Sequence, residues 1–531
     1  MPDHPSQRWL FTPGLRTVRV HQMADTISEA LIYLAIVFAP WAFGSAQSSV
    51  LPQIKLFGCT QTWTVWTMSL TGYLLGLLLL VKISIRLLSG YQPLRWVIDS
   101  KKSRDEKSER GTSRECAAKI ITLGLATCTA LILLYSLISV INARSTYQPE
   151  QFRFDYHDYK NWLPHSHDSR SSWQAFLNYL GLAGIFWALR DWLLGKTVTE
   201  TRAERKTDGA SSGQVSLLPA RLRRLLWLLS INGSLLAVEG IAQRIGGSNK
   251  LIWLMQPRVN REAEYQFGPY AYRANAAQYF NLLWPVALGF WWTLRRSAQL
   301  VMERTGRVKN RAHNFLLPGV IAMAACPIMS SSRGGAAIAI AGLAMAAVIL
   351  SSALRRAHGA TKFGLFLFFV AILVLGFAFG WDKLGDRMKD FNRNFGERQD
   401  IYAMARPMAT EHPMFGTGPG TFSVLFQFYR TSDDAYWPEQ LHNDWLETRI
   451  TYGWVGSLFI ALAFLCVLAR RFLPGGIQCG WRFTALLWLS LAGCLIHALF
   501  DFPMQMYSVL QLFIVICAIL FNLSRRADDA R

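Results

Sequence analysis

The sequence predicts an all-α protein threaded through a membrane by about twelve helices. Three observations carry this. Apolar residues make up 52% of the 531-residue chain and charged residues only 17%, well under the ~25% of an average soluble domain. The apolar residues come in runs that approach or exceed the ~20 residues a helix needs to cross a bilayer. Basic residues cluster in short segments between those runs, as the positive-inside rule expects of cytoplasmic connections.

Taken in order, Arg8, Arg16 and Arg19 precede a first span at about 27–46, which has no small-residue cleavage site and so reads as an anchor. A second span covers about 60–85. A basic segment with Lys101, Lys102, Arg104, Lys107, Arg110 and Arg114 follows, expected inside and without fixed structure. Spans three and four, at about 119–142 and 173–194, flank an outer segment 143–172 rich in Tyr, His and Asp. The next inner segment carries Lys196, Arg202, Arg205, Lys206, Arg221, Arg223 and Arg224. Span five (about 225–245) leads through an outer loop to span six (about 275–294) and to Arg295, Arg296, Arg304, Arg307, Lys309 and Arg311 inside.

Spans seven (about 313–329) and eight (about 336–353) are joined by the tight outer turn Ser330-Ser331-Ser332-Arg333-Gly334-Gly335, with Arg355, Arg356 and Lys362 inside. Span nine (about 364–381) opens onto a long polar loop, 382–448, placed outside by the parity of the other loops. Span ten covers about 450–469, before Arg470, Arg471 and Arg482. Spans eleven and twelve, at about 483–499 and 507–523, are joined outside by Asp501-Phe502-Pro503, and Arg525 and Arg526 end the chain inside. The chain thus divides into a cytoplasmic segment 1–26, spans one to five within 27–260, a second membrane region 261–523 containing the loop 382–448, and a cytoplasmic tail 524–531, with both termini inside. No internal repeat supports an inverted-repeat transporter.

The formal charge of +21 does not mark a nucleic-acid binder, because no basic stripe with interleaved aromatics forms a face. The eight cysteines show no CxxC pair and no Cys/His spacing for a metal, and read as small packing residues.

The outer segments hold the residues able to do chemistry. Arg273 lies in Gly268-Pro269-Tyr270-Ala271-Tyr272-Arg273-Ala274-Asn275, Arg333 in the Ser/Gly turn, and Arg398 in the long loop ahead of Arg406-Pro407. Arginine presents a fixed fork of donors matched to phosphate oxygens, and a short turn between spans holds it at the depth of a lipid-linked diphosphate. Ser332 and the glycines permit close backbone approach and donate hydrogen bonds. The plainer alternative is that Arg333 snorkels as an interfacial anchor. The run Glu411-His412-Pro413-Met414-Phe415-Gly416-Thr417-Gly418-Pro419-Gly420-Thr421-Phe422 lacks the Lys-Ser/Thr of a phosphate loop and reads as a set of turns. In Leu441-His442-Asn443-Asp444-Trp445-Leu446-Glu447, just before span ten, His442 is placed to accept a proton near neutral pH, with Asp444 or Glu447 to orient it and Asn443 beside it. His442 also reads simply as a satisfied polar residue. His412 is a weaker candidate.

Ser332-Arg333-Gly334, the Arg398 segment, His412 to Gly420, the His442 to Glu447 box and Asp501-Phe502-Pro503, with Pro40-Trp41-Ala42-Phe43-Gly44 and the segment 268–285, together resemble the O-antigen ligase and polymerase superfamily of bacterial surface-polysaccharide enzymes. The resemblance implies a GT-C-like fold in the inner membrane. It also implies transfer of a glycan from undecaprenyl diphosphate, on the periplasmic face, to lipid A–core, to another carrier-linked repeat, or to protein. It implies that Arg333, Arg398 and Arg273 hold the diphosphate and that His442 activates the acceptor hydroxyl, with no nucleotide, metal or other cofactor. The Tyr270–Tyr272 segment and the insert 195–224 match no defined subfamily, so the acceptor stays open. Two other readings remain. A lipid-linked sugar transporter or flippase would use charges within the bilayer, for which Glu29, Glu239 and Arg244 are the candidates. A non-catalytic component of a polysaccharide export system would not depend on His442.

Overall fold

A computed structural model describes residues 14–45, 51–96, 109–207, 218–306, 312–354, 359–389, 391–431, 438–474 and 476–525. Arg8, Lys101, Lys102, Arg104, Lys107, Arg307, Lys309, Arg311, Arg355, Arg356 and Arg526, all assigned to inner segments by the sequence, lie outside the described residues.

The structure is mostly helical. The principal helices are α1 (Leu15–Trp41), α2 (Trp63–Ser89), α3 (Glu109–Ile141), α4 (Ser169–Leu194), α5 (Val198–Thr207), α6 (Ala220–Gly246), α7 (Arg273–Thr305), α8 (Leu316–Met329), α9 (Arg333–Leu354), α10 (Gly359–Lys389), α11 (Phe391–Glu411), α12 (Phe422–Leu425), α13 (Asp444–Arg470), α14 (Trp481–His497) and α15 (Tyr507–Asn522). Short antiparallel hairpins pair Gln53–Leu56 with Cys59–Thr62 and Ser145–Gln148 with Arg153–Tyr156, and Ile477–Cys479 lies parallel to Leu523–Arg525.

Each expected span falls on a helix. Among the described residues, seven stretches are long and apolar enough to cross a membrane, on α1, α2, α3, α6, α8 with the turn before it, α9 and α13; α10, α14 and α15 carry shorter apolar stretches. The helices on spans four and six, α4 and α7, are outside both groups. In α7 the cause is visible: Asn275, Gln278 and Asn281 break the apolar run, and all three are buried inside the bundle beside Tyr279, Phe280, Trp284 and Phe290. Large apolar side chains on α2, α3, α9 and α13, such as Leu77, Leu123, Val348 and Leu458, face outward. That inverted arrangement suits a lipid surround.

Close helix packing rests on small residues. A Cβ on Gly184 of α4 would stand 2.1 Å from the Gly72 carbonyl of α2, so these backbones touch as small-residue membrane pairs do. At one end of the bundle, Lys82 Nζ lies 2.6 Å from Asp25 and 2.8 Å from Asp191, Arg86 lies 2.6 Å from Asp191, and Arg221 lies 2.5 Å from Asp25. These carboxylates sit among cations, which is what burial of charge requires.

The segment 382–448 differs from the long loop expected there. α10 runs on to Lys389 and α11 occupies Phe391–Glu411. Ile401, Ala405 and Met408, at helical spacing, pack on Phe422, Phe426 and Ile450. A polar helix with one narrow apolar stripe has no long apolar run, so hydropathy reads it as loop.

Candidate functional site

The site begins at the break between α8 and α9. Ser331 has φ +58 and turns the chain. The Ser332 hydroxyl then accepts the Gly335 amide at 3.2 Å, as a residue capping a helix start does. Arg333 opens α9. Gly334 is fixed by what lies against it: an added Cβ would be 2.4 Å from the Phe500 ring and 3.1 Å from His497 Nε2. The Ser-Arg-Gly turn is therefore pressed onto the end of α14.

His442 arrives at the same place from the start of α13. It has φ +57, and its carbonyl accepts the Tyr402 hydroxyl of α11 at 2.7 Å. Asn443 caps α13 by accepting the Leu446 amide at 3.0 Å. The ring of His442 stands edge-on to Phe502, 4.8 Å between centroids, while Tyr272 stacks flat on the other ring of that pair at 5.5 Å. His442 Nδ1 lies 3.2 Å from Asp501 Oδ1. A carboxylate accepts, so Nδ1 is the donor, and in the neutral ring the lone pair is on Nε2.

Asp501, and neither Asp444 nor Glu447, is thus the carboxylate that meets the ring. Asp444 accepts the Met504 amide at 2.7 Å and Gln505 Nε2 at 3.4 Å, and Glu447 accepts the Leu441 amide at 2.9 Å. Both hold the loops around His442 rather than its side chain. Burial pushes the Asp501 carboxyl up, but the hydrogen bond from His442 and the charges of His442, Arg398 and His497 outweigh it and hold the carboxyl below its usual range.

Arg398 donates to the Phe500 carbonyl. Burial alone would lower its pKa; the neighbouring Asp501, Tyr272 and Tyr402 raise it instead. Arg398, the Arg333 turn and His442 therefore converge on residues 497–502. Arg273 has different surroundings. It is buried, donates to the Glu264 carbonyl at 2.6 Å and lies 4.9 Å over the Tyr265 ring, contacts that anchor the loop before α7.

His412 belongs to a separate group. Its ring is 4.5 Å from that of His167, whose Nε2 accepts from Arg144 at 3.0 Å and whose Nδ1 donates to the Thr417 carbonyl at 3.1 Å. Burial first, then the charges of His412 and Arg144, pull His167 down to about 3. The glycine run is a set of turns, as the sequence suggests. Thr417 and Gly418 donate their amides to the Ile450 and Thr451 carbonyls at 2.9 and 3.0 Å, so they do not face a phosphate. They fill the break in α13 at Gly453, where φ is +59 and ψ −164. Arg244 also has a bracing place, with its guanidinium donating to the Ser330 carbonyl at 3.0 Å. Glu239 is buried, and Glu29 lies 2.8 Å from Arg224. Among the described residues no group of three His, Cys, Asp or Glu side chains is placed to hold a metal ion.

With that geometry in view, the comparison with known families is decisive for one stretch. Residues 318–461 match the family model for O-Antigen ligase. This bears out the resemblance to the O-antigen ligase superfamily. The match runs from α8 into α13 and contains Arg333, Arg398 and His442. Tyr272, His497 and Asp501 of the O-antigen ligase-like site lie outside it. No curated protein matches the chain. The matched stretch is thus similar to the O-antigen ligase family, and the apolar helices mark the chain as a multi-pass membrane protein.

Asp501 suggests a check on the site that needs no substrate. Its folded pKa is depressed, so its charge adds stability above the unfolded value of about 3.9, and that increment is lost as pH falls through the folded value. The melting temperature of wild type is therefore expected to exceed that of Asp501→Asn near neutral pH, with the gap closing below about pH 4. A gap that stays constant on acidification would show that Asp501 is not held ionised.

Proposed function

We propose that the chain is a glycosyltransferase that moves a glycan from undecaprenyl diphosphate to an acceptor hydroxyl at the outer, periplasmic face of the bacterial inner membrane, with both termini inside and 261–523 as the ligase-related unit. The observation that carries this is the 3.2 Å contact between His442 Nδ1 and Asp501, formed where Arg398 and the Arg333 turn meet. Asp501 orients the ring, so His442 Nε2 takes the acceptor proton. The acceptor oxygen then bonds to the anomeric carbon as the bond from that carbon to the diphosphate oxygen breaks. Arg333 and Arg398 stabilise the charge gathering on the departing undecaprenyl diphosphate. Ser332 and Asn443 shape the two turns. Arg273 braces the Tyr272 approach and is a weaker candidate for the diphosphate.

The test uses the full-length protein in membranes with carrier-linked glycan as donor. Release of undecaprenyl diphosphate coupled to glycan transfer is expected; an intact donor in the presence of well-expressed protein would sink the reading. The glycan profile of a deletion strain then separates the acceptors. Carrier-linked polymer accumulating with none on lipid A–core means a ligase, single repeats on the core mean a polymerase, and a change in glycoprotein alone means a protein acceptor. A transporter would move the lipid-linked donor across vesicles without releasing the diphosphate.

A further inference from the structure

Next to this site is a side chain that the mechanism above does not use. His497 ends α14 and is 1% exposed. Neither ring nitrogen has a hydrogen-bond partner. An unpaired polar group in an apolar surround is costly and asks for an explanation. Its position supplies one. Nε2 lies 3.8 Å from Asp501 Oδ2, the carboxylate oxygen left over once Oδ1 has taken His442 Nδ1 and the Phe502 amide. On its other side the same nitrogen abuts Gly334, where an added Cβ would come to 3.1 Å, and the ring lies 5.2 Å from Phe500, whose carbonyl takes Arg398. His497 is therefore wedged between the turn that bears Arg333 and the carboxylate that orients His442.

We propose that His497 is a positioning residue, directing an Nε2–H at Asp501 Oδ2 so that Oδ1 stays on His442, and tying that carboxylate to the Arg333 turn. The 3.8 Å separation is ~1 Å beyond a hydrogen bond, a gap that small movements of the turn on donor binding would close. The groups facing this carboxylate are His442, His497 and Arg398, with Asp444 at longer range. This inference rests on the proposed transfer reaction, and its test separates the two.

The measurement is release of undecaprenyl diphosphate from carrier-linked glycan by the full chain in membranes, at matched protein levels. His497→Leu is expected to lower kcat by about 10- to 100-fold with the donor KM within about twofold, because the residue touches neither partner. His497→Gln, which keeps an N–H at similar reach, is expected to restore most of the rate. A side chain needed only for packing would not be rescued by Gln. In an Asp501→Asn background, His497→Leu is expected to add little, since it acts through that carboxylate. A wild-type kcat in His497→Leu, a failure of Gln to restore, or a fully additive loss in the double variant overturns the His497 role while leaving the transfer reaction standing. A wild-type kcat in Asp501→Asn overturns the His497 role together with the part given to Asp501, whereas no release of diphosphate by the wild-type chain overturns the transfer reaction itself.

Discussion

Replacing His442 with Ala is expected to lower glycan transfer about 10²- to 10⁴-fold, the usual contribution of a positioned general base. The fall should lie in kcat. His442 is reached by the acceptor hydroxyl only as the reaction proceeds, whereas the donor is held by the arginines. Protein levels should hold, because the ring is not the main support of its own loop: the backbone is fixed by Tyr402 through the His442 carbonyl and by the Asn443 cap. Equal transfer by wild type and His442→Ala, in membranes carrying equal protein, would remove the base from the mechanism.

Removing Arg398 is expected to cost about 10²- to 10³-fold in kcat, as loss of one preorganised donor to a developing oxyanion does. The guanidinium is largely buried and already committed to the Phe500 carbonyl and the neighbourhood of Asp501. It needs no reorganisation as diphosphate charge develops. Arg398→Lys should recover only part of the loss, because an ammonium cannot hold the Phe500 carbonyl and a phosphate oxygen with one planar fork. Full activity in the Lys variant would reduce Arg398 to a point charge, and full activity in the Ala variant would leave Arg333 as the sole donor to the leaving group.

Much of this was legible in the residues. Apolar runs mark where helices lie, since burial in lipid is written locally, and every expected span coincides with one. The polar helix α11 escaped because its apolar stripe, Ile401, Ala405 and Met408, is a pattern and not a run. Arg333, Arg398 and His442 stood out through their motifs. Asp501 and Tyr272 also stood in quoted motifs, but nothing local paired them with His442, since Asp501 is 59 residues away; His497 lies among apolar neighbours and did not stand out. Sequence adjacency pointed instead to Asp444 and Glu447. Adjacency misleads there because both fall in the first turn of α13, where carboxylates suit the helix end and bind nearby amides.

The glycine-lined plug in α13 bears on how this chain can be cut and recombined. Its Thr417 carbonyl receives the amide of His167, its Phe415 carbonyl receives the Tyr135 hydroxyl of α3 at 2.5 Å, and its Pro419 carbonyl receives Ser172 at the start of α4. All three donors lie far ahead of residue 318, where the family match begins. The matched stretch is thus not a transplantable module. A chimera joined at its boundary would bring in foreign α3 and α4 ends, and the chain between α11 and His442 would lose its fastenings before any residue of the site had been changed.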